Sequence, residues 1–387
     1  MRAEATTWFP GQGWTAPGLP DLDSESSLVV AFGDARLRDF REPLDELRDA
    51  YPRSAVLGCS TAGQIAGDTL SDGTVSVAVA RFDDVGVRVA TAPVEDSNAS
   101  AVAGRRLAVA LEDSDLRHVL VLSDGVVVNG SELVRGMTEH LPEGVAVTGG
   151  LAGDGDRFSR TWVLSDDGPR GQQVRAVGLY GDALRVGYGS LGGWDIFGPE
   201  RLITRSDGNM LYEIDGKPAL SLYKDYLGDR AEGLPATALL FPLAIRPARG
   251  GDQVVRTVLG VDEEHDAMRF AGDVPEGWTA QLMRANFDRL VDGASHAAAN
   301  AATMSDGAVD LTGSDIVGDT LAIAISCVGR RLVLGERTEE ELEATLEMLP
   351  DGVTLAGFYS YGEIAPHAAG TCDLHNQTMT ITTIGEV

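Results

Sequence analysis

Residues 141–149 read Leu-Pro-Glu-Gly-Val-Ala-Val-Thr-Gly and residues 349–357 read Leu-Pro-Asp-Gly-Val-Thr-Leu-Ala-Gly, matching in character position for position. A repeat is sought first because missing one misassigns the whole fold. Both copies follow a stretch of helical period, at about 130–140 and 338–348, and both run into an apolar segment that reads as a strand. Upstream, Val119-Leu-Val-Leu-Ser-Asp-Gly125 precedes the first helix and Leu321-Ala-Ile-Ala-Ile-Ser-Cys327 the second. A third copy opens with Leu28-Val-Val-Ala-Phe-Gly-Asp34, continues through a helix at about 41–50 and ends in Ala55-Val-Leu-Gly58.

Each copy then carries a glycine segment. Gly58-Cys-Ser-Thr-Ala-Gly63 and Gly357-Phe-Tyr-Ser-Tyr-Gly362 share one spacing, and Gly149-Gly-Leu-Ala-Gly153-Asp154 is one residue shorter. Beyond it the period changes to two, in Thr74–Ala80, Gln173–Leu179 and Thr378–Ile384, as in half-buried antiparallel strands. The unit is strand, helix, strand, glycine turn, strand. Apolar strands flanking a helix predict parallel pairs with right-handed crossovers, and the hairpins add antiparallel strands. The expected fold is α/β, with mixed β-sheets and flanking helices, internally repeated units and two lobes. Gly187-Tyr-Gly-Ser-Leu-Gly-Gly193 is expected to loosen the chain ahead of a boundary near 190–210. An alanine-rich helix is expected over 280–304 and a polar loop over 312–320.

Composition narrows the function. The formal charge of −28, from 59 acidic against 31 basic residues, opposes binding to phosphate backbones, so nucleic acid and anionic membrane are not expected partners. Such charge speaks to solubility rather than to fold. Cys59, Cys327 and Cys372 are odd in number and irregularly spaced, which supports neither a disulfide framework nor a zinc site. Residues 2–10 lack the apolar core of a signal peptide and no stretch reaches the length of a membrane span, so a cytoplasmic setting is expected.

At the glycine segments the sequence resembles the FIST family. The first half carries Gly58-Cys-Ser-Thr-Ala-Gly63 and Gly149–Asp154, similar to a FIST N-terminal domain. The second carries Arg256-Thr-Val-Leu-Gly260, Cys327-Val-Gly-Arg330, Gly357–Pro366 and Leu374-His-Asn-Gln-Thr378, similar to a FIST C-terminal domain. The resemblance implies domains at about 25–200 and 201–387. It also implies a sensory module that binds a small ligand such as an amino acid, without catalysis, and signals through a separate partner. Some family members are regarded as haem-based nitric oxide sensors, which makes His375 the candidate axial ligand; otherwise no cofactor or metal is expected.

Glycines at strand ends let backbone N–H groups approach a ligand, and in open α/β sheets ligands settle beyond the carboxyl ends of strands. The candidate ligand contacts are therefore Cys59, Ser60, Thr61 and Gly63; Gly150, Gly153 and Asp154; and Arg256, Cys327, Arg330, Tyr359, Tyr361, Gly362, Glu363, His375 and Asn376. The alternative is that the glycines serve only turns and packing. Arg330 would hold a carboxylate and Glu363 an ammonium, or the two would pair with each other. Arg256 is open to a structural role as well. Tyr359 and Tyr361 would wall the site, or simply alternate in a sheet. A hydrolase or transferase reading starts from Cys59 or Ser60, but no Gly-x-Ser-x-Gly spacing or recognisable base accompanies them.

Overall fold

The computed structural model describes residues 1–251, 253–303, 318–367 and 372–387. Unit one runs β1 (Arg2–Phe9), β2 (Ser27–Asp34), α1 (Glu42–Ala50), β3 (Ala55–Thr61), β4 (Gln64–Ala66), β5 (Thr69–Ser71) and β6 (Val75–Arg81). Unit two runs β7 (Gly86–Pro93), α2 (Ser100–Leu111), β8 (Leu116–Ser123), α3 (Gly130–Thr138), β9 (Ala146–Leu151), β10 (Val163–Ser165), β11 (Gly168–Arg170) and β12 (Gln173–Tyr180). Unit three begins with β13 (Leu184–Leu191) and is interrupted by an insertion. That insertion comprises β14 (Trp194–Asp207), β15 (Met210–Ile214), α4 (Ala219–Leu227), β16 (Leu243–Pro247), β17 (Val254–Arg256), β18 (Val258–Asp262), β19 (Ala267–Phe270) and β20 (Trp278–Ala285). The unit resumes with α5 (Phe287–Ala302), β21 (Leu321–Cys327), α6 (Val328–Leu334), α7 (Thr338–Leu346), β22 (Thr354–Ser360), β23 (Gly362–Pro366), β24 (Cys372–His375) and β25 (Met379–Glu386).

The three units build three sheets of one design. Their orders are β11-β10-β3-β2-β6-β1, β24-β23-β9-β8-β12-β7 and β5-β4-β22-β21-β25-β13, the first with a short strand at Gly13–Trp14 on its edge. In each, one parallel pair (β2–β3, β8–β9, β21–β22) sits in an otherwise antiparallel sheet. The hairpin after each glycine segment leaves its own sheet: β4 joins β22, β23 joins β9 and β10 joins β3. The units are thereby interlocked in a ring.

This arrangement explains the continuous apolar runs. Leu28, Val30 and Phe32 of β2, Leu120 and Leu122 of β8, and Leu321, Ile323 and Ile325 of β21 meet in one central core. The intervening Val29 and Ala31, Val119 and Val121, and Ala322 and Ala324 pack into outer cores beneath the helices. Strands buried on both faces lose the polar alternation. Gly58, Gly149 and Gly357 stand opposite Ala31, Val121 and Ala324, and a Cβ at each would lie 2.5, 1.8 and 2.0 Å from that residue's carbonyl oxygen. At α3, the Asn129 side chain accepts from the N–H groups of Ser131 and Glu132, fixing the helix start after β8.

Two expectations are corrected. Residues 187–191 are ordinary strand rather than a loosened linker. Gly187 and Gly189 admit α5, since a Cβ there would lie 1.9 Å from the Ala301 oxygen and 2.1 Å from the Ala297 oxygen. The helix expected over 280–304 starts only at Phe287, because Trp278–Ala285 pairs with β14 and β16 and Asn286 caps the helix. A further helix, α6, follows β21 directly. The loop expected over 312–320 lies, up to residue 317, outside the described residues.

The inserted segment forms its own eight-stranded sheet, counting a two-residue strand at Lys217–Pro218 beside β15, around a separate core drawn from residues 203–282, so the architecture is a three-sheet body and an inserted lobe. No helix among the described residues is long and apolar enough to cross a membrane.

Candidate functional site

The three glycine segments converge, but first on one another. Ala62 N–H donates to the Tyr359 oxygen at 2.8 Å and Tyr359 N–H to the Gly63 oxygen at 2.9 Å, joining segments one and three. Gly153 N–H donates to the Ser60 oxygen at 2.9 Å and Tyr361 N–H to the Leu151 oxygen at 3.1 Å, closing the ring through segment two. Gly150, Gly153 and Gly362 are packing positions: a Cβ would lie 2.9 Å from Ile325, 3.0 Å from the Ala62 nitrogen and 3.0 Å from Leu374.

Most polar candidates are consumed by this junction. Cys59 is fully buried in the central core, and burial pushes its thiol well up, away from the thiolate a nucleophile needs. Ser60 Oγ accepts the Trp162 N–H at 3.0 Å. Thr61 Oγ1 accepts from Gly63 N–H at 3.3 Å and from the Gln64 amide. Asp154 accepts from Ser159 N–H and Oγ, Arg160 N–H and the Tyr361 hydroxyl, while the Tyr361 ring stacks on Phe158 at 4.6 Å. Cys327 is buried and its thiol raised by burial and then by the Glu363 charge. Asn376 donates to the Tyr361 oxygen at 3.3 Å and accepts from Thr257 N–H at 3.1 Å. Buried Arg256 donates to the oxygens of Asp273 and Leu374 at 2.9 and 3.0 Å, a clamp between β17 and β24.

Arg330 and Glu363 do not pair with each other. Arg330, with no exposed surface, donates to Glu341 Oε2 from Nε and Nη2 at 3.0 and 2.7 Å, to the Leu290 oxygen at 2.7 Å and to the Gly192 oxygen at 2.9 Å. Glu341 Oε1 accepts from Ser326 at 3.2 Å and from the Tyr359 hydroxyl at 2.5 Å. This buried network ties α7 to the points where the inserted lobe leaves and rejoins the body. Glu363 accepts from the Ser360 hydroxyl and from Thr378 N–H and Oγ1 at 3.2 and 3.0 Å. Burial pushes its carboxyl up to about 8, against the pull of those donors and of Arg330.

His375 Nε2 lies 3.0 Å from the Ala365 oxygen and so carries the proton, leaving that nitrogen no lone pair for iron. Its ring meets His367 edge-on at 4.6 Å, and burial, then the neighbouring His367, holds its pKa down to about 4. With Nε2 engaged, only Nδ1 of His375 keeps a lone pair. No cluster of three or more metal-ligating side chains occurs among the described residues.

Immediately outside the junction lies a cleft of about 610 Å³ at the carboxyl ends of β2 and β21. Unit one contributes Asp34, Arg36, Ala62, Leu70 and Asp72; unit two contributes Gly155, Asp156 and Arg157; unit three contributes Val328, Arg331, Leu332 and Gly335. Arg331 crosses it, donating from Nη1 and Nη2 to Asp72 at 2.9 and 2.6 Å and to the Ala62 oxygen. A Cβ on Gly63, at φ +140°, would lie 2.5 Å from that guanidinium. Arg36 binds Asp34 through Nε and Nη2 at 2.8 and 3.1 Å. Burial raises the Asp34 carboxyl, but these hydrogen bonds and the Arg36 charge outweigh it and hold the group below its usual range. Arg157 approaches Asp154 only to 3.9 Å. Both signs of charge therefore face one cavity with apolar walls, an arrangement that suits a zwitterion.

The sequence reading missed Asp34, Arg36, Asp72, Asp156, Arg157 and Arg331. The signal was present in the repeat register: Asp34 and Arg36 follow β2, Asp156 and Arg157 follow the second glycine segment, and Arg331 follows β21. On α6 the chosen Arg330 turns inward and its neighbour faces the cleft.

Among known proteins, the chain is 27% identical over 271 residues to an uncharacterized protein of Mycobacterium tuberculosis, covering 67% of this chain and 66% of that one. It is also 27% identical over 277 residues to an uncharacterized protein of Mycobacterium bovis, covering 67% and 65%. The matched region thus spans just under two thirds of these relatives' length. Among solved structures, a cyanuric acid hydrolase from A. caulinodans aligns over 100% of this chain and 99% of its own at 10% identity, with a TM-score of 0.34 that carries no argument. The FIST N domain matches residues 27–217 and the FIST C domain residues 219–366, and the chain belongs to the FIST family.

Proposed function

We propose that this protein is a sensor for a small zwitterionic metabolite, an α-amino acid or close relative, bound in the cleft where the three units meet. FIST domains are associated with sensory signalling. The observation that carries the ligand class is the mixed lining of the cleft, with Arg36, Arg157 and Arg331 facing Asp34, Asp72 and Asp156. In this reading Arg331 takes the ligand carboxylate and an aspartate across the cleft takes the ammonium. Asp72 is 66% exposed, and an exposed ion pair is worth about 0.2–1 kcal/mol, so a ligand displaces it from Arg331 at small cost. Freeing Asp72 releases the turn between β5 and β6 and offers a conformational signal to a separate partner in the cytoplasm. Burial of Cys59 and the engaged Ser60 hydroxyl support binding over catalysis.

Titration calorimetry over the amino acids, repeated on Arg331→Gln, tests the reading. A responsive amino acid is expected to lose at least about tenfold in affinity, about 1.4 kcal/mol, in the variant. An undiminished affinity in Arg331→Gln would remove the cleft from the account.

A further inference from the structure

The inserted lobe contains a second cavity, of about 270 Å³, lined by Phe197, Tyr226, Leu227, Arg230, Phe241, Leu282 and Arg284. It lies between the sheet and the segment that starts with α4. Phe197 of β14 stands directly across from Leu282 of β20, and Arg284, two residues along the same strand, projects from the same face. Tyr226 and Leu282 also wall a separate, mostly apolar hollow of about 20 Å³ that Leu243 and Ala280 line.

Its charge is of one sign. The Arg230 guanidinium lies over the Phe241 ring at 5.4 Å and Arg284 over Phe197 at 5.9 Å. Among the described residues neither has a carboxylate within ion-pair distance. Asp195, paired with Arg284 across the strands, accepts hydrogen bonds from Asn286 and Arg289, and the Arg284 charge acts on it only through space. In a chain carrying −28 net charge, two guanidiniums braced on aromatic rings at one apolar cavity make a local exception to a field that otherwise repels anions.

We propose that the inserted lobe holds a second ligand site, distinct from the cleft of the body, for a small carboxylate with a single aromatic ring. The ring lies among Tyr226, Phe241, Phe197 and Leu282, and the carboxylate meets Arg230 and Arg284. Ligand pockets commonly span about 300–1,000 Å³, and a cavity just below that range limits the occupant to one ring with a short side arm. Two guanidiniums and no acid among the lining residues disfavour the zwitterion suited to the cleft, since Asp195 beside Arg284 is already hydrogen-bonded to Asn286 and Arg289.

The test is titration of the full chain with 3-phenylpropionate, its neutral amide and phenethylamine, followed by calorimetry. The carboxylate binds, the amide binds at least about tenfold more weakly and the amine does not bind. Arg230→Gln and Arg284→Gln, both at exposed positions that spare the fold, each weaken the carboxylate about tenfold or more; Leu282→Trp, which fills the cavity, abolishes it. Arg331→Gln leaves the affinity within about twofold, which separates this site from the cleft. Failure of the carboxylate to bind at millimolar concentration, equal binding of the amide, or loss of binding in Arg331→Gln would each overturn the proposal.

Discussion

Arg330 turns its guanidinium inward to Glu341, Leu290 and Gly192, whereas Arg331, the next residue of the same short helix, reaches across the cleft to Asp72. Residue type and strand-end position were legible in the sequence; which of two adjacent arginines faces inward was not, because that depends on where α5 and α7 pack. Removing one partner of a buried pair leaves an uncompensated charge, so Arg330→Met is expected to cost about 3–5 kcal/mol in urea melts. Arg330→Met with Glu341→Leu is expected to recover much of that loss, with Tyr359 and Ser326 limiting the recovery. Additive losses in the double variant would contradict the pairing. Glu363 makes a separate prediction. Its folded pKa, about 8, lies above the ordinary glutamate value of 4.5, so the folded state binds the extra proton and the associated stability is full below about pH 4.5 and lost as pH rises through about 8. Relative to Glu363→Gln, the wild type is expected to lose stability of order 3–5 kcal/mol between pH 5 and 9. Parallel pH curves for the two proteins would show that Glu363 is ionised throughout.

At the scale of elements, the repeat was readable because each core strand meets apolar neighbours on both faces, which makes β2, β8 and β21 continuous runs in the sequence. The exchange of hairpins was not readable. Nothing local in Gln64-Ile-Ala66 names β22 as its partner, since the pairing spans some three quarters of the chain. Gly187 and Gly189 misled for a related reason: glycine reads as a loosened linker, and only the position of α5 shows that close packing requires it. The same logic makes Gly357 sensitive. A Cβ there would lie 2.0 Å from the backbone oxygen of Ala324, which cannot move without parting the parallel pair. Gly357→Ala is therefore expected to lower the stability of the body by about 1–3 kcal/mol or more in denaturant melts. An unchanged melt would mean that β22 and β21 separate more easily than their register implies.

For the whole molecule, the cleft exists only because the units interlock. Its acids and arginines come from three places in the sequence, and the ring of hydrogen bonds among the glycine segments fixes its floor. The sequence located those segments and the strand ends, while the lining depended on which side chains the junction left free. The most direct test is a thermal-shift comparison of amino acids with their N-acetyl and amide derivatives on the wild-type protein, since a ligand that binds only the native state raises the melting temperature by mass action. The account predicts a shift for at least one free amino acid and none for its N-acetyl or amide form, because each blocks one of the two charges. Equal shifts for the blocked forms, or no shift with any amino acid, would contradict it.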